Sequence, residues 1–531
     1  MSGPDVDVLI VGAGFSGIFA LQRLRQMGFS VRVIERGSDV GGTWFWNRYP
    51  GARCDVQSLS YSYSFDAALE QEWRWPHRYA YQADILRYAT HVVDRFDLRR
   101  DMVFDTSVTA ARYDPETCIW TVKTDPGKPV TARFIILATG CLSQPNWPQF
   151  EGQDDFEGRL YHTAYWPHED VDFSGQRVGV IGTGASGVQT IPKVAKHAAH
   201  LTVFQRTANF AIPARNTPMP KAHEADIKSR YPELRATARA SLSADFWEGD
   251  VVAMVDLSPE QQQARLEDMW AQGGFAIQYG FSDLLTDAVS NAVAAEFVRG
   301  KIREAVQDPE TAEMLCAQDH PLGTKRLCVD DGYFETFNRD NVSLVDMRAS
   351  PIERVTKDGI LAGGIHHPLD SLIFATGFDA FTGSVGKIDI QGLSDRRLSA
   401  LWQKSADSYL GLAVAGFPNL FTVTGPGSPS VFTNMMVAIE QHVVWIADCL
   451  RHMREEGHCE ISVDPQAQAR WCRRVQKLAS RTLYGQAKSW YKGANIAGKS
   501  ETFLAYVGGQ GPYTEICDRV AAQGYDGFLL L

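Results

Sequence analysis

Val8-Leu9-Ile10-Val11-Gly12-Ala13-Gly14-Phe15-Ser16-Gly17 sets an unbroken apolar run directly before three glycines at G-x-G-x-x-G spacing. A short apolar run of this kind, bounded by glycine, predicts a parallel strand buried on both faces. Gly12 allows the tight turn, Gly14 lets the backbone approach a pyrophosphate, and Gly17 lets the next helix pack closely on the strand. Residues 18–27 keep helical spacing through Leu21, Leu24 and Met27. The helix N-terminus then faces the phosphates with free N–H groups and the positive end of its dipole. Val31-Arg32-Val33-Ile34 follows as a second strand and ends on Glu35, a carboxylate able to accept both hydroxyls of an adenosine ribose.

The same order of elements returns further along. Arg177-Val178-Gly179-Val180-Ile181 precedes Gly182-Thr183-Gly184-Ala185-Ser186-Gly187, then a helix, then Leu201-Thr202-Val203-Phe204-Gln205-Arg206. This second unit ends on Gln205-Arg206 rather than an acid. An acid repels a 2′-phosphate, whereas a guanidinium can make paired, charge-assisted bonds to it. The first unit therefore suits FAD or NAD and the second NADP, unless Arg206 is simply solvated. Each unit closes on a buried strand ending in Ala-Thr-Gly, at Gly140 and at Gly377. The path from Gly184 to Gly377 is longer than that from Gly14 to Gly140, which implies an insertion. Helix-start signals at Ser258-Pro259-Glu260, Ser282-Asp283 and Asp308-Pro309-Glu310 make it helical.

Between the units, residues 84–96 read as an amphipathic helix, with short strands at 103–108, 111–113 and 120–123 and a turn at Asp114-Pro115. Residues 41–55 alternate glycine, proline and aromatics too irregularly for helix or strand, as a loop wrapped round a flat ring does. Asp55 at its end is either a turn cap or a site acid. His162, in an aromatic linker, is either catalytic or a hydrogen-bonded structural group. Lys325-Arg326 is either a solvated surface pair or a pair of site cations. Residues 411–424 read as strand-like, 430–450 as an apolar helix, and 525–531 as a packed strand end.

Composition narrows the function. A 531-residue chain with 44% hydrophobic and 22% charged residues is an ordinary globular enzyme of two or more domains. A net charge of −11 and no Lys/Arg run argue against nucleic acid. No apolar run is long enough to span a bilayer, and the N-terminus lacks a signal-peptide pattern. Nine scattered cysteines with no C-x-x-C suggest free thiols in a reducing, cytoplasmic setting and argue against a flavin disulfide reductase. No metal site is expected.

These motifs resemble the Baeyer–Villiger monooxygenases. The resemblance rests on two nucleotide fingerprints flanking Phe156-x-Gly158-x-x-x-His162-x-x-x-Trp166-Pro167, and on Gly41-Gly42-x-Trp44 through Tyr49-Pro50-Gly51 to Asp55. It extends to Gly323-Thr324-Lys325-Arg326, Gly425-Pro426-Gly427-Ser428-Pro429-Ser430 and Ser489-Trp490-Tyr491-x-Gly493-Ala494-Asn495. It implies an α/β fold of two Rossmann-like dinucleotide-binding domains: FAD at 1–145 and 380–531, NADP at 150–220 and 326–379, and a helical insertion at 221–325. By the same resemblance FAD is held by Gly12, Gly14, Phe15, Ser16, Gly17, Glu35, Thr43, Trp44, Trp46, Asp55, Tyr61, Val108 and Met435. NADP is held by Thr183, Gly184, Ala185, Ser186, Gly187, Gln189, Thr190, Arg206, Thr207, Lys325 and Trp490. Arg53, Cys54 and Arg326 are further cofactor contacts, and His162 is structural. Ala208 and Ala497 depart from the pattern, each standing where relatives carry another residue.

The chemistry implied is NADPH- and O2-dependent conversion of a ketone to an ester or lactone, through a C4a-peroxyflavin and a tetrahedral intermediate. An anionic oxidant needs a permanent cation beside it, for which Arg326 is the candidate, with Asp55 holding it in place. The alternatives are an N- or S-oxygenating flavin monooxygenase and, more distantly, a non-catalytic flavin-binding sensor. Partners are a small ketone and O2, with no nucleic acid or membrane, on a monomer or weak homo-oligomer.

Overall fold

The computed structural model describes residues 3–496, 498–499 and 501–531. Among the described residues, an eight-stranded sheet carries the first fingerprint and a five-stranded sheet the second. In the first, Val6–Val11 lies between Val31–Ile34 and Val130–Leu137, parallel to both, with Val8 opposite Val31 on one side and Phe134 on the other. Cover on both faces is why the strand tolerates no polar residue after Asp7. Ser107–Asp114 and Ile119–Asp125 extend this sheet as antiparallel strands. Late in the chain, Leu420–Thr422 and Asp389–Gln391 return to pair with Val130–Leu137 and Ser107–Asp114. Helix Phe15–Gln26 packs against the long helix Met435–Glu456, so the C-terminal part of the chain completes the first core.

The second sheet is wholly parallel, in the order Val342–Asp346, His200–Gln205, Arg177–Ile181, Ser371–Phe374, Arg159–His162. The insertion leaves and rejoins this unit through a narrow neck, where Ala211–Pro213 pairs with Cys328–Asp330. It is helical: Lys221–Ser229, Tyr231–Ala240, Pro259–Gln272, Ala276–Tyr279, Ala288–Ala305 and Pro309–Leu315. Its first two helices pack on the first unit, where Ile227, Tyr231 and Leu234 join the core of Val8 and Phe19. Arg235 adds a buried ion pair to Glu70 at 3.0 Å.

Five local readings need correction. Ser258 and Asp308 cap helices, but Ser282-Asp283 starts none: Asp287 caps Ala288–Ala305. Asp283 instead accepts from the N–H groups of Met254 and Val255 and from the Ser290 hydroxyl. The strand expected over 103–108 is broken into Met102–Val103 and Ser107–Asp114, because Asp105 takes a left-handed φ of 50° and Thr106 N–H turns back to Glu35 O. Residues 411–424 hold only the strand Leu420–Thr422, since Gly411, Gly416 and Asn419 all have positive φ. The aromatic loop carries one helical turn, Thr43–Trp46, and the helix expected from 430 begins properly at Met435, capped by Asn434.

Candidate active site

A cavity of about 1450 Å³ is lined by residues of both nucleotide units. It is large enough for two dinucleotides, and it gathers nearly every residue the sequence singled out. The exceptions are Gly17, Gly187 and Thr190 among the expected cofactor contacts, and His162. A Cβ on Gly17 would lie 1.9 Å from Gly12 O, and one on Gly187 2.2 Å from Gly182 O, so both glycines serve helix–strand packing. Thr190 is fully buried, its hydroxyl without a partner.

The first cradle is closed to side chains. Gly12 has φ 106°, and a Cβ there would meet Ala138 O at 2.6 Å. A Cβ on Gly42 would lie 2.8 Å from the Cα of Gly14, so the fingerprint turn and the aromatic loop meet backbone to backbone. Glu35 is buried, and its carboxylate accepts from Ala13 N–H at 2.8 Å and Gly37 N–H at 2.7 Å. It thereby fixes the turn, and each oxygen keeps lone-pair capacity for a ribose hydroxyl. Trp44 donates from its indole to the Tyr61 hydroxyl at 3.2 Å, and Trp46 carries the Arg36 guanidinium 4.9 Å over its ring. These features fit FAD.

Asp55 and Arg326 meet on the cavity wall. Arg326 Nε donates to Asp55 Oδ2 at 2.6 Å, Nη2 to Oδ1 at 2.7 Å, and Nη1 to Val431 O at 2.7 Å. The guanidinium lies 5.4 Å from the Phe275 ring centroid. A guanidinium has about five N–H donors, so two remain free for a ligand. Burial pulls the arginine pKa down, but the Asp55 charge and hydrogen bonds outweigh it and hold the pKa well above the ordinary value. The loop bearing Asp55 is itself tied to the second unit. Tyr49 donates to Gln189 Oε1 at 2.9 Å, Gln189 Nε2 to Arg53 O at 3.1 Å, and Arg53 Nη2 to Val329 O at 2.8 Å.

At the far end, Arg206, Lys325 and Arg348 converge. Burial lowers the Lys325 pKa; Asp319 opposes that, and Arg206 and Arg348 reinforce it. Arg348 donates to Asp319 Oδ2 at 2.5 Å and to Thr207 Oγ1 at 3.3 Å, and Thr183 donates to Thr207 O at 2.9 Å. Arg206 is exposed to the cavity. Three cations against one carboxylate make a site for a polyanion and fit the 2′-phosphate of NADP. Trp490 and Met435 also line the cavity, Met435 at the N-terminus of its helix. Ala208 lies on the cavity wall, and Ala497 is outside the described residues.

His162 does not line the cavity. Its Nδ1 accepts from Ala164 N–H at 3.0 Å, its ring packs on Trp147, and burial lowers its pKa to about 4, against a hydrogen bond to Asn146.

Comparison with known proteins bears on this arrangement. Residues 9–246, which include both fingerprints, match the family described as pyridine nucleotide-disulphide oxidoreductase. The disulphide chemistry in that description requires a cysteine pair, and the cavity's Cys54 and Cys141 are both free. A Baeyer–Villiger monooxygenase of Pseudooceanicola batsensis is 43% identical over 98% of this chain and 96% of its own length. The chain belongs to the Baeyer–Villiger monooxygenases. The solved structure of an oxidized steroid monooxygenase bound to NADP superposes with a TM-score of 0.95 at 48% identity, covering 99% of both chains. The phenazine N-monooxygenase PhzNO1 of Lysobacter antibioticus is 41% identical over 99% of this chain and 97% of its own. The α/β architecture of two dinucleotide-binding units is that of this Baeyer–Villiger family.

Sequence reasoning missed Arg348, Asp319, Phe275 and the carbonyl of Val431. Arg348 follows strand Val342–Asp346, which is next to His200–Gln205 only in the folded sheet. No spacing in the sequence gives that order. Gly42 lay within a quoted motif, but its contact with Gly14 requires the fold.

Proposed function

We propose that this chain oxidises ketones to esters or lactones, using NADPH and O2, with FAD and NADP as cofactors. FAD, once reduced by NADPH, supplies the electrons that activate dioxygen. The protein's part is to hold both nucleotides and to place charge. Gly12, Gly14 and Glu35 would position FAD; Arg206, Lys325 and Arg348 would hold the phosphate end of NADP, and Trp490, on the wall of the same cavity, would contact that nucleotide. On this reading, residues 1–145 with 380–531 form the FAD domain, 150–220 with 326–379 the NADP domain, and 221–325 the cap. The protein acts in the cytoplasm as a monomer or weak homo-oligomer.

The observation that carries the reading is Arg326, fixed by Asp55 with two N–H groups to spare. As the carbonyl carbon of a ketone becomes tetrahedral, its oxygen gains negative charge. A preorganised guanidinium at that oxygen stabilises the charge without reorganising at the moment of reaction. Arginine suits the task because it stays charged at any working pH. Asp55 fixes its direction and compensates its burial.

A second reading, N-oxygenation, is favoured by the phenazine-oxidising relative, and one oxidant can serve both. Incubation with NADPH, O2 and a panel of aryl, linear, cyclic and steroid ketones, beside amines and sulfides, separates them by product mass. Ester or lactone formation with ketone-stimulated NADPH consumption supports the proposal. N- or S-oxides alone, with no ester from any ketone, contradict it.

A further inference from the structure

Away from the cavity, Cys118 Sγ and Cys459 Sγ lie 3.2 Å apart although 341 residues separate them in the chain. Cys118 sits in the turn before strand Ile119–Asp125, with a left-handed φ of 57°. Cys459 lies just before strand Ile461–Val463 and is exposed, whereas Cys118 is half-buried. The two segments are pinned to each other independently of the sulfurs. The Asn419 side-chain amide donates to the carbonyls of both cysteines, at 3.4 and 2.9 Å. Tyr113 donates to Glu460 Oε2 at 2.7 Å. The backbone is therefore arranged to keep the sulfurs together.

We propose that Cys118 and Cys459 form an oxidative-modification site that hydrogen peroxide closes into an intramolecular disulfide. The Cys459 thiolate attacks one peroxide oxygen; the O–O bond breaks, hydroxide leaves, and a sulfenic acid forms. The sulfur of Cys118 then attacks the Cys459 sulfur. The S–S bond forms, the S–O bond breaks, and the departing hydroxide takes the Cys118 proton as water. Two thiols are oxidised and one peroxide is reduced to two waters. Exposure makes Cys459 the attacking thiol. Burial and the neighbouring Cys459 push the Cys118 thiol up to about 11, which suits a resolving partner kept from direct attack. A disulfide needs an S–S distance of about 2.05 Å, so side-chain movement of roughly an ångström suffices. Uncoupled turnover of the proposed reaction releases the oxidant, which makes the pair a record of turnover without substrate. A cellular dithiol reverses it.

The test exposes the full-length holoprotein to a small excess of hydrogen peroxide, alkylates free thiols, digests without reductant and maps peptides by mass. The expected result is one joined pair containing Cys118 and Cys459, lighter by two hydrogens than the reduced peptides and abolished by dithiothreitol. Cys118→Ser should leave a dimedone-reactive sulfenic acid on Cys459, and Cys459→Ser should leave Cys118 a thiol. Both variants should keep wild-type NADPH consumption under reducing conditions. The proposal is overturned if both residues remain alkylatable, if Cys459 proceeds to sulfinic acid beside a free Cys118, or if either pairs elsewhere.

Discussion

Asp55 and Arg326, 271 residues apart, form a two-pronged ion pair with donor–acceptor distances of 2.6 and 2.7 Å. The aspartate ends the aromatic loop of the first unit, and the arginine stands where the insertion rejoins the second. Removing the acid strands a half-buried guanidinium and costs on the order of 1–3 kcal/mol in stability. Asp55→Ala should keep FAD and NADPH oxidation but lower ester formation at least about tenfold, the equivalent of about 1.4 kcal/mol. Hydrogen peroxide should rise in proportion. Product yield per NADPH is the measurement.

The phosphate end gives a cofactor prediction. Arg206→Ala and Arg348→Ala should each raise the KM for NADPH by roughly tenfold or more and leave that for NADH nearly unchanged, because a lost charge-assisted bond is worth about 1.5–3 kcal/mol. Steady-state KM values for both nucleotides check it. Equal effects on the two would remove the 2′-phosphate from this corner.

How the sequence and the structure relate is clearest at these two places. The fingerprints could be read directly, because strand, glycines and helix must be contiguous to cradle a phosphate. The Asp55–Arg326 partnership could not be read from spacing. It came from resemblance to a family, since long-range pairing leaves no local periodicity. Arg348 was missed for the same reason, its place being fixed by strand order. The misread segments share another cause. Asp105, Gly411 and Asn419 adopt positive φ, which breaks strands that their neighbours' propensities favour, and Asp283 spends its capping ability on a turn rather than on a helix.

The glycine cradle supplies a contrast. Gly12→Ala combines a φ of 106° with a Cβ 2.6 Å from a backbone oxygen. It should cost more than about 1–3 kcal/mol and yield protein lacking flavin. Gly184→Ala meets no protein atom within 4 Å. It should fold, retain FAD and weaken NADP alone. The flavin absorbance per mole of protein, with NADP titration, distinguishes the two.

His162 sets a pH dependence. Burial lowers its pKa to about 4 from an ordinary 6.5, so the native state favours the neutral ring. That contribution is whole above pH 6.5 and is lost as pH falls toward 4, where the unfolded chain binds the proton first. The loss amounts to about 3 kcal/mol across the window. His162→Asn should therefore show a shallower fall in denaturant stability between pH 6.5 and 4 than the wild type. Parallel profiles would contradict the buried neutral assignment.

The most direct measurement is a single turnover of Arg326→Ala: anaerobic reduction by NADPH, then mixing with O2 and a ketone the wild type converts. The account expects flavin reduction at close to the wild-type rate and ester formation slowed by on the order of 10²–10³ or more, with the reducing equivalents recovered as hydrogen peroxide. Ester formed at near the wild-type rate and yield would contradict it.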